Sequence, residues 1–478
     1  MKDKTYDLIV IGAGSGGLGA ALGMLQLGMD VLLIDRNAKS IGGECLNTGC
    51  VPSKALIHLS KQIHQAKLSE TLGMDISGKP DINKIKAYIQ RKQDAINEHE
   101  NIDYLKEKGL DIALGEASFS SKNSIKLNNQ IFKGRNIVIA TGSSPKVIDI
   151  PGNHDIPIFS NESIFEIDFI PNNFVFIGAG PVSIELGQAF LRLGSKVHII
   201  DRGERILKKE NAKISNILKD RLEEEGIQFS FNAEVSGVEG KSAILKKSNG
   251  KNETIPVDAI FMGLGRVLNF DSLALEKGGI KTEKGKIVLN AKLQTTNKQV
   301  FVSGDAANNL KFSHAAEMHN MLLINNFISP IKKNLDFKHF PWVTFTDPEI
   351  ATFGLNENQL KKQNIKYLRL ESNFREDDRA ITDDYEYGYL MVFIERKWFN
   401  LGNAKVLGGS MIAPNAGEIT QELLLANIAG IKLNTFMNKI YPYPTAANIH
   451  KTLFRKKLVE QLKPWMKTII KKWYRLKM

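Results

Sequence analysis

Cys45 and Cys50 are the only two cysteines in the 478-residue chain, and they stand five positions apart. A thiol pair this close can cycle between dithiol and disulfide. The thiolate is the reactive form, and nearby positive charge or a helix N-terminus stabilises it. Structural disulfides are rare in a reducing compartment, which favours a catalytic or redox-sensing pair. Two unrelated core thiols would give the same count, and composition alone does not separate the readings. The surrounding residues are Gly42-Gly43-Glu44-Cys45-Leu46-Asn47-Thr48-Gly49-Cys50-Val51-Pro52-Ser53-Lys54. Pro52 suits the first turn of a helix.

A second chemistry-bearing pattern occurs twice. An apolar run, Tyr6 to Ile11, leads into Gly12-Ala13-Gly14-Ser15-Gly16-Gly17, then a helical pattern, then Val31–Ile34 ending in Asp35. Phe174–Ile177 leads into Gly178-Ala179-Gly180-Pro181-Val182-Ser183, a helix, then Val197–Ile200 ending in Asp201. The first glycine and the acid are 23 residues apart in both copies. Each copy matches a nucleotide-binding βαβ unit. Gly12 and Gly178 permit the tight turn, and Gly14 and Gly180 let the backbone approach a pyrophosphate. Gly17 and Ser183 stand where helix and strand pack closely. The helix N-terminus offers free N–H groups and a positive dipole end to phosphate. Asp35 and Asp201 stand where an acid accepts hydrogen bonds from a ribose. One such glycine motif is weak, but two with identical spacing are strong.

These elements imply about three domains. The expected fold class is α/β, with two Rossmann-like nucleotide-binding domains and an α+β C-terminal domain. The expected boundaries are 1–150 for the first nucleotide domain, completed by about 285–330, and 151–284 for the second. A third domain is expected over 336–461, and a basic tail over 462–478. A charged helical stretch is expected from about Lys84 to Lys108. Ile137–Ala140 and Val300–Val302 read as buried strands into turns. No metal-ligand cluster is apparent.

With these motifs in order, the chain resembles the pyridine nucleotide-disulfide oxidoreductases, which include dihydrolipoamide dehydrogenase, glutathione reductase and mercuric reductase. The likeness runs to about residue 460, and the cysteine motif is its most specific part. It implies FAD in the first unit, NAD(P)H in the second, and a redox-active disulfide between Cys45 and Cys50. The glycines beside the pair then allow close approach to a flat flavin ring. By the same resemblance Cys50 lies against the flavin and Cys45 meets the substrate. Lys54 lies near the flavin and pairs with Glu185. Asp35 holds the adenosine ribose, Gly115 lies near the adenine, and Thr141-Gly142-Ser143 contacts the flavin. Asp305 binds the ribityl chain, and Gly265-Arg266 closes the nicotinamide domain. There Val267-Leu268-Asn269 replaces the family's usual Pro-Asn. Phe345–Ala351 and Asp378-Arg379-Ala380 resemble the interface domain, which implies a homodimer.

One departure bears on the substrate. Disulfide reductases of this family carry a histidine before a C-terminal Pro-Thr, and a glutamate five residues on. Here Tyr443 and Asn448 occupy those positions. A tyrosine, with a reference pKa near ~10, is a poor proton acceptor at neutral pH. Mercuric reductases share the tyrosine but carry a further C-terminal cysteine pair, which this chain lacks. The expectation is a mercuric-reductase-like enzyme. It would reduce a small disulfide, a metal ion such as mercuric ion, or a quinone-like electrophile, with NADH favoured by Asp201. Arg202 and Arg205 nearby could instead favour NADPH. The alternatives are a dihydrolipoamide dehydrogenase and a membrane-docked electron-transfer component.

The net charge is +12, and the segment from His450 to Met478 carries ten Lys or Arg against Glu460 alone. A body so nearly balanced argues against nucleic acid as a partner. No apolar run reaches the ~18 residues that span a bilayer, and the first residues do not read as a signal peptide. The expected location is cytoplasmic, with contact at the inner membrane face as an added reading. That reading rests on Trp465, Met466, Ile469, Ile470, Trp473 and Leu476, which recur at helical spacing beside Lys467, Lys471, Lys472 and Arg475. The same stripe could pack on the protein's own body or on its dimer partner.

Overall fold

The computed structural model describes residues 4–397, 401–462 and 464–477. It resolves into two compact units: residues 1–203 with 227–335, and residues 204–226 with 336–478.

The first unit holds both glycine-turn repeats. Thr5–Ile11 is apolar from Leu8 onward, and its Leu8, Ile9 and Val10 are fully buried. A strand buried on both faces belongs inside a parallel sheet covered by helices. It pairs in parallel with Val31–Asp35 on one side and Gln130–Ile139 on the other. Asp111–Leu114 extends the sheet beyond Val31–Asp35, and Val300–Val302 pairs in parallel with Gln130–Ile139. Ala117–Ser121 and Ser124–Leu127 complete it as an antiparallel meander. The second sheet repeats the order. Asn173–Ile177 lies between Lys196–Asp201 and Ala259–Met262, Gln228–Phe231 flanks Lys196–Asp201, and Ile158–Phe159 takes the other edge, all parallel. The two Rossmann-like layers follow from the same cause: strands with buried apolar cores, Leu8–Ile11 and Phe174–Ile177, that lead into glycine turns.

The expected charged stretch forms two helices, Ile82–Asn97 and Ile102–Glu107. Asn101 separates them, because its side chain accepts from the Tyr104 N–H and restarts the chain as an N-cap.

The second unit is built on a five-stranded antiparallel sheet. Its order is Pro341–Thr344, Glu349–Gly354, Val406–Ala413, Tyr389–Glu395, Tyr367–Asn373. A core that includes Phe353, Phe374, Leu390, Val392, Met411, Leu423 and Phe454 joins this sheet to its helices. Residues 204–226, which lie within the span expected for the second nucleotide domain, belong to this unit and carry the helix Ala212–Glu225. The tail forms a helix, Pro464–Lys477; Lys463 and Met478, which the sequence places at its ends, lie outside the described residues.

Candidate functional site

Cys50 is the first residue of the helix Cys50–Leu68, and Cys45 lies within the short helix Gly43–Asn47. Both are free thiols, Cys45 half-buried and Cys50 exposed. The helix N-terminus directs unpaired N–H groups and a positive dipole end at Cys50. Ser313 Oγ lies 3.4 Å from Cys50 Sγ. A hydrogen bond from the Cys45 thiol, then one from Ser313 and the charge of Lys54, bring Cys50 down to about 6, against a partial loss of solvent around the sulfur at the surface of the site. Cys45 moves upward, through that same bond and its own burial. Of the two thiols, Cys50 is therefore the thiolate near neutral pH.

Lys54 stands one helical turn beyond Cys50, and its Nζ lies 2.7 Å from Glu185 Oε2. Glu185 is buried in the helix Pro181–Leu193, which follows the second glycine turn. The pair ties the cysteine helix to the second nucleotide repeat.

The two glycine turns have matching geometry. Gly12 has φ +106°, and a Cβ there would lie 2.3 Å from Ala140 O. Gly178 has φ +102°, and its Cβ would lie 2.5 Å from Gly263 O. No L side chain fits either turn. Gly14 and Gly180 are the N-caps of the helices Ser15–Gln26 and Pro181–Leu193. Asp35 Oδ2 accepts from the Ala13 N–H at 2.5 Å, and Asp201 Oδ2 accepts from the Ala179 N–H at 2.8 Å. The acid 23 residues on thus clamps the residue after the first glycine in both copies. Gly17 packs its Cα against the Gly12 carbonyl. Ser183 takes the third-glycine position of the second copy, where its buried Oγ faces the bare Cα of Gly263. Gly115, at the end of its strand, donates to Asp35 O.

A third group closes around the first turn. Ser143 Oγ donates to Asp305 Oδ2 at 2.6 Å, and Arg266 Nε donates to the same Ser143 Oγ at 2.6 Å. Arg266 also grips Glu44, the residue before Cys45, through both terminal nitrogens. Burial pushes the Glu44 carboxyl up, and the Arg266 charge offsets part of that. Asn161 Nδ2 completes the grip on Glu44 at 2.6 Å. Arg266 is placed by the Arg266–Leu268 strand, which pairs with Ser143–Pro145; Gly265, at φ +95°, precedes it.

The residues suit a dinucleotide flavin on three observations. Thr141 Oγ1 is buried with no hydrogen-bond partner among the described residues. A Cβ on Gly43 would stand 2.5 Å from the Gly14 Cα, so two bare backbones form a narrow cradle. Gly142 and Gly180 open onto free space. A nicotinamide nucleotide suits the second turn for the last reason and for its free helix N-terminus.

Tyr443 lies in the second unit. It is 77% exposed. A hydrogen bond to Asp378 raises its phenol pKa further. Two residues before it, Tyr441 OH donates to Glu422 Oε1 at 2.8 Å, with Lys439 Nζ on the same oxygen. Buried His450 Nδ1 lies 3.1 Å from the other oxygen of Glu422. Burial alone would raise Glu422, but these bonds outweigh it and hold the carboxylate down at about 2.

Sequence reasoning missed Ser313, Glu44 and His319. His319 is buried, accepts from the Gly304 N–H through Nδ1, and is held neutral by burial at about 4. No spacing rule links Ser313 to a cysteine 263 positions away. Glu44 stands inside the cysteine motif, but its partner Arg266 lies 222 positions on.

Comparison with known proteins places these features in a family. A family model described as pyridine nucleotide-disulphide oxidoreductase matches residues 6–319. The family's dimerisation-domain model matches residues 340–453. A mercuric reductase from Staphylococcus aureus is 30% identical over 93% of this chain and 81% of that protein. A dihydrolipoyl dehydrogenase from Buchnera aphidicola subsp. Acyrthosiphon pisum is 34% identical over 93% of this chain and 94% of that protein. The fold is also that of the HOCl-induced flavoprotein disulfide reductase RclA from Escherichia coli. The TM-score is 0.82 at 22% identity, covering 94% of this chain and 99% of that one.

Proposed function

Because the chain belongs to the pyridine nucleotide-disulphide oxidoreductase family, we propose that it passes electrons from NADH through FAD to the Cys45–Cys50 disulfide and on to a small electrophile. The family's members use FAD and NAD(P)H. Its FAD would be held by residues 1–150 with about 285–330, and the nicotinamide by 151–284. Residues 336–461 would supply the interface of a homodimer.

The observation that carries this reading is the placement of Cys50. It stands at a helix N-terminus, with the Cys45 thiol and Ser313 hydrogen-bonded to its sulfur and Lys54 one turn away. Bound FAD supplies the two-electron relay between nicotinamide and disulfide. This chain's residues do the rest. Thr141, Ser143 and Asp305 bind and orient, and the Arg266–Glu44 grip fixes the loop that carries Cys45. Lys54, neutralised in part by Glu185, holds the Cys50 sulfur as thiolate. Cys45 keeps its proton, and re-forming the disulfide delivers two electrons to the acceptor and releases that one proton, with any further proton the acceptor needs coming from solvent.

Tyr443 bears on which acceptor that is. Its hydrogen bond to Asp378 favours the protonated phenol. It can donate a proton but not accept one at neutral pH. A metal ion such as mercuric ion, a small disulfide or a quinone-like electrophile needs no protein base to take a substrate proton. Oxidation of a dihydrolipoyl thiol does need one. Dihydrolipoamide dehydrogenase therefore stands second, favoured by the 34% identity to a protein of that name. NADH is preferred over NADPH because Asp201 repels a 2′-phosphate. Of the two arginines nearby, Arg205 donates instead to the Leu207, Lys208 and Glu210 carbonyls and to Ser215.

An acceptor screen on the purified enzyme tests this. It compares lipoamide, glutathione disulfide, mercuric ion and quinones at fixed NADH. Turnover of one non-lipoyl acceptor well above the others is the expected result. Lipoamide as the best acceptor would put dihydrolipoamide dehydrogenase first and overturn the proposal.

A further inference from the structure

We propose that the helix Pro464–Lys477 docks the enzyme on an anionic phospholipid bilayer, lying in the headgroup plane. This goes beyond the redox chemistry and does not depend on which acceptor is reduced.

The helix contains no acidic residue, and Lys467, Lys471, Lys472 and Arg475 are all exposed on it. At about 100° per residue, Trp465, Met466, Ile469, Ile470, Trp473 and Leu476 fall within an arc of roughly 140°. Lys467, Lys471 and Arg475 fall outside that arc on the far side, and Lys472 borders it beside Trp465. The segment is thus two-faced, with tryptophan near either end of the apolar stripe.

Four members of that stripe stand exposed. Trp465 is 59% exposed, Ile469 56%, Ile470 52% and Leu476 84%. Exposed apolar residues grouped on one face mark an interaction surface. The helix also lies beyond residue 453, where the match to the dimerisation domain ends. None of its described residues belongs to the hydrophobic core of its unit.

Charge selects the occupant. The preceding helix, Asn448–Glu460, adds exposed Arg455 and Lys456 to the same field. A second copy of this helix would bring like charges together with no acid to offset them. Nucleic acid would answer the lysines but leave the tryptophan face in water. A bilayer with anionic headgroups answers both. Tryptophan rings settle at the interface, the aliphatic side chains enter the acyl boundary, and each basic residue adds about 1 kcal/mol. A helix of 14 residues is about 21 Å long against a ~30 Å hydrocarbon core, so it lies on the membrane and does not cross it. No helix among the described residues is long and apolar enough to cross.

The test uses the FAD-loaded full chain. It is sedimented with vesicles of phosphatidylcholine alone, and of phosphatidylcholine with phosphatidylglycerol, at low and high salt. The expected result is binding to the anionic vesicles, weakened by salt, with a blue shift of tryptophan fluorescence. Replacing Lys467, Lys471 and Lys472 by glutamate should weaken binding by about a hundredfold or more. Replacing Trp465, Ile469 and Ile470 by serine should abolish it. Both triple variants alter exposed side chains only, so FAD content and NADH oxidation should stay at wild-type levels. The proposal is overturned if the wild-type chain stays in the supernatant with anionic vesicles at low salt, or if both variants bind as it does. It is equally overturned if sedimentation velocity without vesicles gives assemblies larger than a dimer that the serine variant dissolves. The stripe would then join copies of the chain.

Discussion

Lys54 Nζ and Glu185 Oε2 stand 2.7 Å apart and join the helix that begins at Cys50 to the helix that follows the second glycine turn. Lys54 stands one helical turn from Cys50, and Glu185 is buried. The two charges act on Cys50 with opposite signs: Lys54 lowers its pKa and Glu185 raises it. Lys54→Met should therefore move the midpoint for alkylation of the reduced enzyme to higher pH, and Glu185→Gln should move it to lower pH. The rate of iodoacetamide labelling against pH reads both. Shifts of the same sign would mean that the pair acts by holding the helices, not through its charges.

Ser313 offers a gentler test of the same thiolate. Its hydroxyl supports the Cys50 sulfur from a different segment of the chain. Ser313→Ala should raise the labelling midpoint and slow labelling at neutral pH by a few fold, with unchanged thermal stability. An unchanged profile would remove Ser313 from the site.

Nucleotide preference follows from where two cationic and anionic groups spend their bonds. Arg205 makes four hydrogen bonds to its own loop and helix. The kcat/KM for NADH should exceed that for NADPH by about tenfold or more, the scale of one lost charged contact. Arg205→Ala should lower the melting temperature and leave the ratio unchanged. A clear NADPH preference in the wild-type enzyme would mean that Arg202 or Arg205 binds the 2′-phosphate despite Asp201.

Much of this was legible in the sequence, for a physical reason. Glycine turns and the acids that follow them obey fixed local spacing, so the Gly12–Asp35 and Gly178–Asp201 repeats could be read directly. The structure adds that each acid bonds the backbone of its own turn, at Ala13 and at Ala179. The cysteine motif was legible because its residues are contiguous. What lay hidden was every partner brought in from far along the chain: Ser313 to Cys50, Arg266 to Glu44, and Asn161 to Glu44. Such pairs depend on how sheets stack, which no local pattern encodes. The allegiance of residues 204–226 to the C-terminal unit was hidden for the same reason.

Acid should weaken the C-terminal unit in two stages. His450 is buried, and burial lowers its pKa below the unfolded value. A group with a depressed folded pKa stabilises above its unfolded pKa and loses that contribution as pH falls, so the first loss begins near pH ~6.5. Glu422 is held at about 2. Its contribution is full above ~4.3 and is lost as pH falls from there toward 2. Glu422→Gln should remove the second stage and cost on the order of 1–2 kcal/mol at neutral pH, since one side-chain acceptor of three donors is lost. Thermal melts across pH 7 to 3 check both, and a Glu422→Gln protein with the wild-type acid profile would contradict the assignment.

Lipoamide turnover should be very weak, because Tyr443 keeps its proton and Asn448 cannot orient a base. Tyr443→His with Asn448→Glu should raise it. Robust wild-type lipoamide reduction would show that another group serves as the base.

The most direct measurement is the absorbance of the purified enzyme after two-electron reduction. The wild-type protein should be yellow, carry one FAD per chain, and on reduction develop the long-wavelength band of a thiolate beside the flavin. Cys45→Ser should keep that band and Cys50→Ser should lose it. A folded protein that takes up no FAD, or a band that depends on Cys45 and survives without Cys50, would contradict the account.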